Sequence, residues 1–421
     1  MKKILILFLI ITSCSEKADS KKNNATIDFT TTFEKSEGLE TATYNETIQY
    51  YTDLADAYSE ISIKAIGETD SGKPLHIVIL HPTKAHTDFE LLRNNNRILL
   101  INNGIHPGES DGIDATMLLY RDIVQGKIEA PKSTILVTIP IYNVGGSLNR
   151  NSGTRTNQNG PKAYGFRGNA RNYDLNRDFI KSDTKNARAF AEIFHLVQPD
   201  VFIDNHVSNG ADYQYTLTHL FTQHNKLGGK LGDYIHSEMT PKLEQKLEAK
   251  SWDITPYVNV FNRAPESGFS QFMDSPRYST GYTTLFNTLG MMVETHMLKP
   301  YKQRVEGTYE LMKSMIEIIE EQGDKITQLR NEQAKTWSAG KTYPLAWTID
   351  STQDSTIKFK GFEGEMIPSA LTAGTQRLKF DRSKPFTKDV NYQNYYTPTA
   401  KVIIPKAYVI PQGWHNVMDL L

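Results

Sequence analysis

One apolar run, broken at once by a turn, sets the centre of this chain. Ile98-Leu99-Leu100-Ile101 reads as a buried strand. Asn102-Asn103-Gly104-Ile105-His106-Pro107-Gly108-Glu109 follows, and Gly104, Pro107 and Gly108 end any regular element. His106 and Glu109 therefore sit on a loop leaving the strand. An imidazole and a carboxylate three residues apart on a tight turn can reach one cation. Zinc accepts both donors, and catalytic zinc sites take three protein ligands and leave one position open. The pair occurs by chance in many sequences, so its meaning rests on finding a third ligand, a base and a substrate clamp elsewhere.

The surroundings predict an α/β fold. Helical spacing of apolar residues appears over 47–59, 111–124, 185–197 and 303–328. Apolar, β-branched runs predict strands over 75–80, 98–101, 135–140, 201–204 and 290–294. Strands alternating with helices imply a mixed, mostly parallel sheet flanked by helices. Residues 143–178, rich in Gly, Asn and Arg, read as one long loop of the kind that is functional when it occurs inside a compact domain. Beyond residue 333 the pattern changes to short strands over 343–349, 357–362 and 400–410, a small β-rich C-terminal module. The chain ends in what reads as the opening of a helix, Trp414 to Leu421, which suggests truncation.

The third ligand candidate is His206, in Val201-Phe202-Ile203-Asp204-Asn205-His206. It repeats the first pattern: an apolar strand, then a histidine where the strand ends. Ligands of α/β sheets bind beyond the carboxyl ends of strands, so two such ends side by side place His106, Glu109 and His206 around one ion. Either histidine alone fits a structural role; their shared position favours ligation. Gly290-Met291-Met292-Val293-Glu294 is another apolar strand, and it ends by presenting a carboxylate. A carboxylate in so apolar a run is costly without a partner or a chemical role. Glu294 is either a salt-bridged core residue or a general base toward a metal-activated water. Arg155, Arg167, Arg171 and Arg177 crowd the long loop beside Asn169, Asn172 and Asn176. They form either a solvated basic loop or a clamp for a planar carboxylate.

Taken in order, His106-Pro107-Gly108-Glu109, then Asn172-Tyr173-Asp174-Leu175-Asn176-Arg177-Asp178, then a strand-end His and a strand-end Glu resemble the zinc carboxypeptidases of the carboxypeptidase A type, over about residues 45–330. The resemblance implies a single zinc ion per chain on His106, Glu109 and His206, the His2Glu set of carboxypeptidase A. It implies Glu294 as the general base that returns its proton to the leaving amine. It implies that Asn176 and Arg177 hold the free C-terminal carboxylate of a peptide substrate. It also implies an upstream Arg that polarises the scissile carbonyl; Arg155 fits best, with Arg150 and Arg171 as rivals. The family's usual Asn-Arg-Asn is Asn176-Arg177-Asp178 here, so Asp178 either disfavours acidic C-termini or orients Arg177. The family's mobile tyrosine has no clean match; Tyr278 and Tyr282 are both candidates. The implied function is a zinc metallocarboxypeptidase. The alternatives are an amidohydrolase on the same scaffold, acting on cell-wall peptides or N-acyl amino acids, and a peptidase-like surface binding protein without activity.

The amino terminus reads as a processing segment. Lys2 and Lys3 precede a short apolar core, Ile4 to Ile11, and Ile11-Thr12-Ser13-Cys14 resembles a lipoprotein cleavage box. The run is shorter than the ~20 residues of a membrane-spanning helix, so a signal peptide is expected. Cys14, the sole cysteine, stands where a lipid-bearing residue would begin the mature chain. The expected organisation is a signal peptide over 1–14, a tether over 15–30, a catalytic domain over 31–332 and the β-rich module over 333–421. The expected location is the bacterial cell envelope, exported and lipid-anchored, facing periplasm or cell surface. A formal net charge of −1 gives no single-sign field of the kind nucleic-acid binding needs.

Overall fold

The computed structural model describes residues 27–84, 88–94, 96–208 and 210–421. The signal segment with Cys14, and most of the tether, lie outside the described residues. Among the described residues no helix is long and apolar enough to cross a membrane.

The strands in chain order are β1 (Ile61–Glu68), β2 (Pro74–Leu80), β3 (Arg97–Asn102), β4 (Thr134–Ile139), β5 (Val201–Ser208), β6 (Leu217–Phe221), β7 (Ile254–Pro256), β8 (Phe269–Ser270), β9 (Leu289–His296), β10 (Thr342–Ile349), β11 (Ser355–Pro368), β12 (Gln376–Gln393) and β13 (Tyr396–Ile403). Eight of them form one sheet in the order β1-β2-β4-β3-β5-β9-β6-β7. Its central strands β4, β3, β5 and β9 run parallel; β1, β2 and β6 join antiparallel. The parallel centre explains the unbroken apolar runs, since both faces are covered. On β5, Phe202 meets Phe190 of the helix Lys185–Val197 with ring centroids 6.0 Å apart, whereas Asn205 lies 3.8 Å from Met312 Sδ of the helix Tyr301–Ala334. Alternation along the strand sends these two side chains to opposite faces, so helices flank the sheet on both sides.

The chain leaves β3, forms the helix Asp111–Val124 and returns to β4 on one side; β5 then takes the other side of β3. Strand order reverses at that point, and a crevice opens beyond the carboxyl ends of β3 and β5. Polar rungs hold the register there. Asn102 Nδ2 donates to Asp204 Oδ1 at 2.9 Å, and Asn205 Nδ2 to Asn103 Oδ1 at 2.8 Å.

The expected helices over 111–124 and 185–197 have those bounds in the structure, and the last long helix extends to Tyr301–Ala334. Three expectations need correction. His206 and Glu294 do not follow their strands; β5 and β9 pair as far as Ser208 and His296, so both residues lie within the ladder. Polar residues remain in strand because they face the crevice rather than the core. The strand expected over 357–362 is part of the longer β11, which forms a long hairpin with β12. β12 has no apolar run, because most of its side chains are exposed on both faces. Third, the strand expected over 400–410 ends at Ile403.

Candidate active site

The His106 turn is built by its backbone. Gly104 sits at φ +65°, a conformation that favours glycine. Asn143 N donates to the Gly104 carbonyl, and Asn143 Nδ2 to the Ile105 carbonyl. A Cβ on Gly108 would lie 2.6 Å from Arg155 Cδ, so a larger residue would displace that arginine. Glu109 N closes the turn on the His106 carbonyl at 2.8 Å.

His106, Glu109 and His206 converge, each offering one donor atom, with these atoms all within 4.8 Å of one another, and all three residues are buried. Both imidazoles turn Nδ1 toward Glu109: His106 at 3.3 Å from Oε1 and His206 at 3.2 Å from Oε2. Each Nε2 faces an aspartate. His106 Nε2 lies 3.0 Å from Asp174 Oδ1. His206 Nε2 lies 2.9 Å from Asp204 Oδ2 but is not aligned for a hydrogen bond, so that contact is charge pairing. Asp204 is fixed in turn by Asn102 and by Ser279 Oγ at 2.5 Å. Carboxylates behind ligating imidazoles fix their orientation and raise their basicity. Two imidazoles, a buried carboxylate and this backing fit zinc.

The charges are strongly coupled. Burial alone would raise the Glu109 carboxyl, but Arg155 at 2.8 Å and the two histidines hold it well below the usual range. Burial would lower His206, yet Asp204 and Glu109 hold it well above its ordinary value. Glu294 is the register partner of His206 on β9. Its side chain makes no hydrogen bond or ion pair among the described residues, and it lines the same cavity. Burial, with Glu109 and Asp204 adding to it against His206 and Arg155, pushes its carboxyl up to about 7. The core salt bridge that is the alternative for Glu294 is not formed among the described residues.

The cavity, about 320 Å³, also receives Arg155, Arg167, Asn176 and Arg177. Asn176 and Arg177 sit on the 3-10 turn Leu175–Arg177, capped by Asp174, whose Oδ1 accepts from Asn176 N at 3.0 Å. The Arg177 guanidinium lies 4.5 Å from the centre of the Tyr278 ring and has no carboxylate partner among the described residues. Asn176 Oδ1 is buried without a partner among the described residues. Beside them Leu220, Phe272 and Met292 line an apolar wall, with Phe272 packed edge-on against Tyr278 at 4.9 Å.

The rivals to Arg155 point elsewhere. Arg150 donates to the carbonyls of Thr41, Ala42 and Ala163. Arg171 stacks on Tyr173. Arg167 comes closer than either: its Nη1 lies 3.2 Å from His106 Nδ1, and its Nη2 donates to Asp174 at 2.8 Å. Asp178 turns away from the clamp. It accepts from Asp183 N, Thr184 N and Thr184 Oγ1, and so anchors the start of the helix Lys185–Val197. Tyr278 lines the cavity, whereas Tyr282 is buried among Phe179, Phe190 and Phe194. Sequence reasoning misses Asp174, which backs His106, and Tyr257, which lines the cavity. Asp174 carries a signal, being two residues before Asn176; Tyr257, in a segment without periodicity, carries none.

Among solved structures, the chain is similar to a metallo-carboxypeptidase from Pseudomonas aeruginosa, in complex with (2-guanidinoethylmercapto)succinic acid, at 12% identity and TM-score 0.49, covering 68% of this chain and 70% of that one. It is similar to a metallo-carboxypeptidase from Burkholderia cenocepacia at 14% identity and TM-score 0.46, covering 70% of each. Carboxypeptidase A from Helicoverpa armigera matches at 12% identity and TM-score 0.49, covering 67% of this chain and 74% of that one. No curated protein matches the chain in sequence. The model of the zinc carboxypeptidase family matches residues 47–199, a span that holds His106, Glu109, Arg155, Asn176 and Arg177. Over residues 47–199 this chain is similar to the zinc carboxypeptidase family.

Proposed function

We propose that the protein is a zinc metallocarboxypeptidase that hydrolyses the C-terminal peptide bond of peptides. The observation that carries this reading is the single cavity in which the His106–Glu109–His206 cluster meets Glu294 and Arg177, neither of which has an ion-pair partner among the described residues. A zinc ion held by the cluster supplies Lewis acidity and lowers the pKa of water. The protein does the rest. Asn176 and Arg177 receive the terminal carboxylate, Arg177 as a planar fork already stacked on Tyr278. Glu294 takes a proton from the attacking water and hands it to the leaving amine, a transfer within reach of a carboxyl raised by burial. Arg155, with Arg167 beside it, offers guanidinium donors where the carbonyl oxygen gains charge. The apolar wall of Leu220, Phe272 and Met292 suits an uncharged, apolar C-terminal side chain.

Glu294→Gln is expected to lower kcat by about 10²–10⁴-fold while bound zinc, measured by elemental analysis, stays at one per chain. Loss of zinc in that variant would make Glu294 a ligand or a structural residue and end the reading. C-terminally amidated peptides are expected to resist cleavage. Equal cleavage of the amidated form would favour the amidohydrolase alternative.

For location, the N-terminal sequence alone supports acylation at Cys14 and anchorage in the cell envelope. Detergent-phase partitioning that is lost in Cys14→Ser tests it.

A further inference from the structure

The hairpin β11–β12 lies beyond the residues that carry the candidate catalytic groups, yet it is fixed to their strands. His296, two residues after Glu294, lies 3.0 Å from Asp212 Oδ1, and Asp212 Oδ2 accepts from Arg382 Nε of the hairpin at 2.6 Å. Gln214 Nε2 donates to the carbonyls of Gly361 and Phe386, and Tyr215 bonds the backbone of Lys358 and Lys360. Phe359 fills a separate small core with Tyr213, Tyr215 and Phe269. These contacts fix the hairpin to the catalytic strands along Lys358 to Gly361 and at Arg382 and Phe386.

A chain of concavities joins the two. Arg155 and Phe261 line the catalytic cavity and also an adjoining one of about 480 Å³ that includes Gly210. Phe261 and Gly210 in turn line a third, about 550 Å³, whose far wall is Met366, Arg377, Leu378 and Phe380 of the hairpin. Phe261, at the junction of all three, is 64% exposed. Arg263 and Arg377 line this third space, and neither has a carboxylate partner among the described residues. Arg177 and its apolar wall account for the terminal residue of a substrate. The rest of a peptide must leave past a part of the cavity not occupied by the clamp, and the Arg155–Phe261 side is where the concavity continues.

We infer that the groove between the segment 260–263 and the β11–β12 hairpin binds the part of a peptide substrate upstream of the scissile bond, with a preference for apolar and acidic side chains. The inference rests on the carboxypeptidase reading above. Apolar side chains would cover Met366, Leu378 and Phe380, and carboxylates would pair with Arg377 and Arg263. The C-terminal strands then make the enzyme select peptides by length and upstream composition.

The test uses the full zinc-loaded chain, a blocked dipeptide and a blocked octapeptide that share their last two residues, the octapeptide carrying apolar and acidic residues upstream. The wild type is expected to show a kcat/KM ratio of octapeptide to dipeptide of about tenfold or more, the worth of one well-buried apolar side chain. Leu378→Asp with Phe380→Ser should bring that ratio close to one. Because both substrates are read on the same preparation, partial misfolding lowers them together and leaves the ratio intact. Arg377→Glu should shift the preference from acidic to basic upstream residues. A wild-type ratio near one, or variants that leave it unchanged, would overturn the groove while leaving the carboxypeptidase reading standing. Failure of the wild type to cleave either peptide would remove that reading, and the groove with it.

Discussion

The two ends of the cavity are built on different principles. At the proposed metal end, His206 and Glu294 lie on adjacent parallel strands in fixed register, His106 and Glu109 on a turn bound to β3 and β4, and aspartates stand behind both imidazoles. At the clamp end, Asn176, Arg177, Arg155 and Arg167 all come from the irregular stretch between β4 and β5, and Arg167 is 45% exposed along its side chain. The metal end gains its geometry from the sheet; the clamp end gains it from hydrogen bonds specific to this loop. A site on regular elements is placed more rigidly than one on loops, which suits a cation that tolerates little displacement of its ligands. A clamp meets substrates of many shapes and can yield. Asp174 joins the two regions, since it holds His106 Nε2, Arg167 and the backbone of Asn176 at once.

The largest effect should come from the metal end. His206→Ala removes one of the three proposed ligands and is expected to abolish both zinc binding and turnover. Zinc retained at one per chain would show that the strand residue is not a ligand. At the clamp end, Arg177→Ala should leave zinc in place and raise KM for free-acid peptides by about 10–100-fold, the worth of charge-assisted hydrogen bonds to a carboxylate. Amidated peptides should respond much less. An equal loss on both substrates would mean that Arg177 acts through Tyr278 or the fold rather than on the carboxylate. Asp174→Ala tests the link between the ends. It is expected to weaken zinc affinity by about tenfold and also to raise KM for free-acid peptides, because the turn that carries Asn176 loses its cap. A change confined to zinc would separate the two regions.

How much of the site is legible in the sequence follows the same division. Strand-borne residues can be found because an apolar run predicts a strand, and a polar residue breaking it needs a partner or a chemical role. His206 and Glu294 stand out that way, and His106 stands out on the turn that follows such a run; the structure brings all three together, and only the place of the first two inside the ladder differs from expectation. Residues on the stretch 143–178 have no periodicity, and their directions depend on tertiary contacts. Arg155 reaches Glu109 because Gly108 lacks a Cβ, and Arg167 reaches His106 because Asp174 holds it. Neither dependence is visible in composition or spacing, which is why nothing in the sequence singles out Arg167 from its neighbours. β12 escapes for another reason: an exposed hairpin strand needs no apolar face, so it leaves little pattern to read.

Asp178 gives the smallest expected effect and the sharpest check on the clamp. Its position after Asn176-Arg177 points to a role in substrate charge, but its carboxylate accepts from Asp183 N, Thr184 N and Thr184 Oγ1 inside the protein. Thr184 itself caps the helix Lys185–Val197 by accepting from Ala187 N. Asp178→Asn should therefore lower stability by about 2 kcal/mol, the scale of hydrogen bonds to a buried charge, seen as a lower denaturation midpoint. The selectivity between peptides ending in acidic and in neutral residues should not move. If selectivity shifts toward acidic C-termini while stability holds, Asp178 faces the substrate during turnover. The loop would then rearrange on binding, and the clamp end would be more mobile than its hydrogen bonds imply.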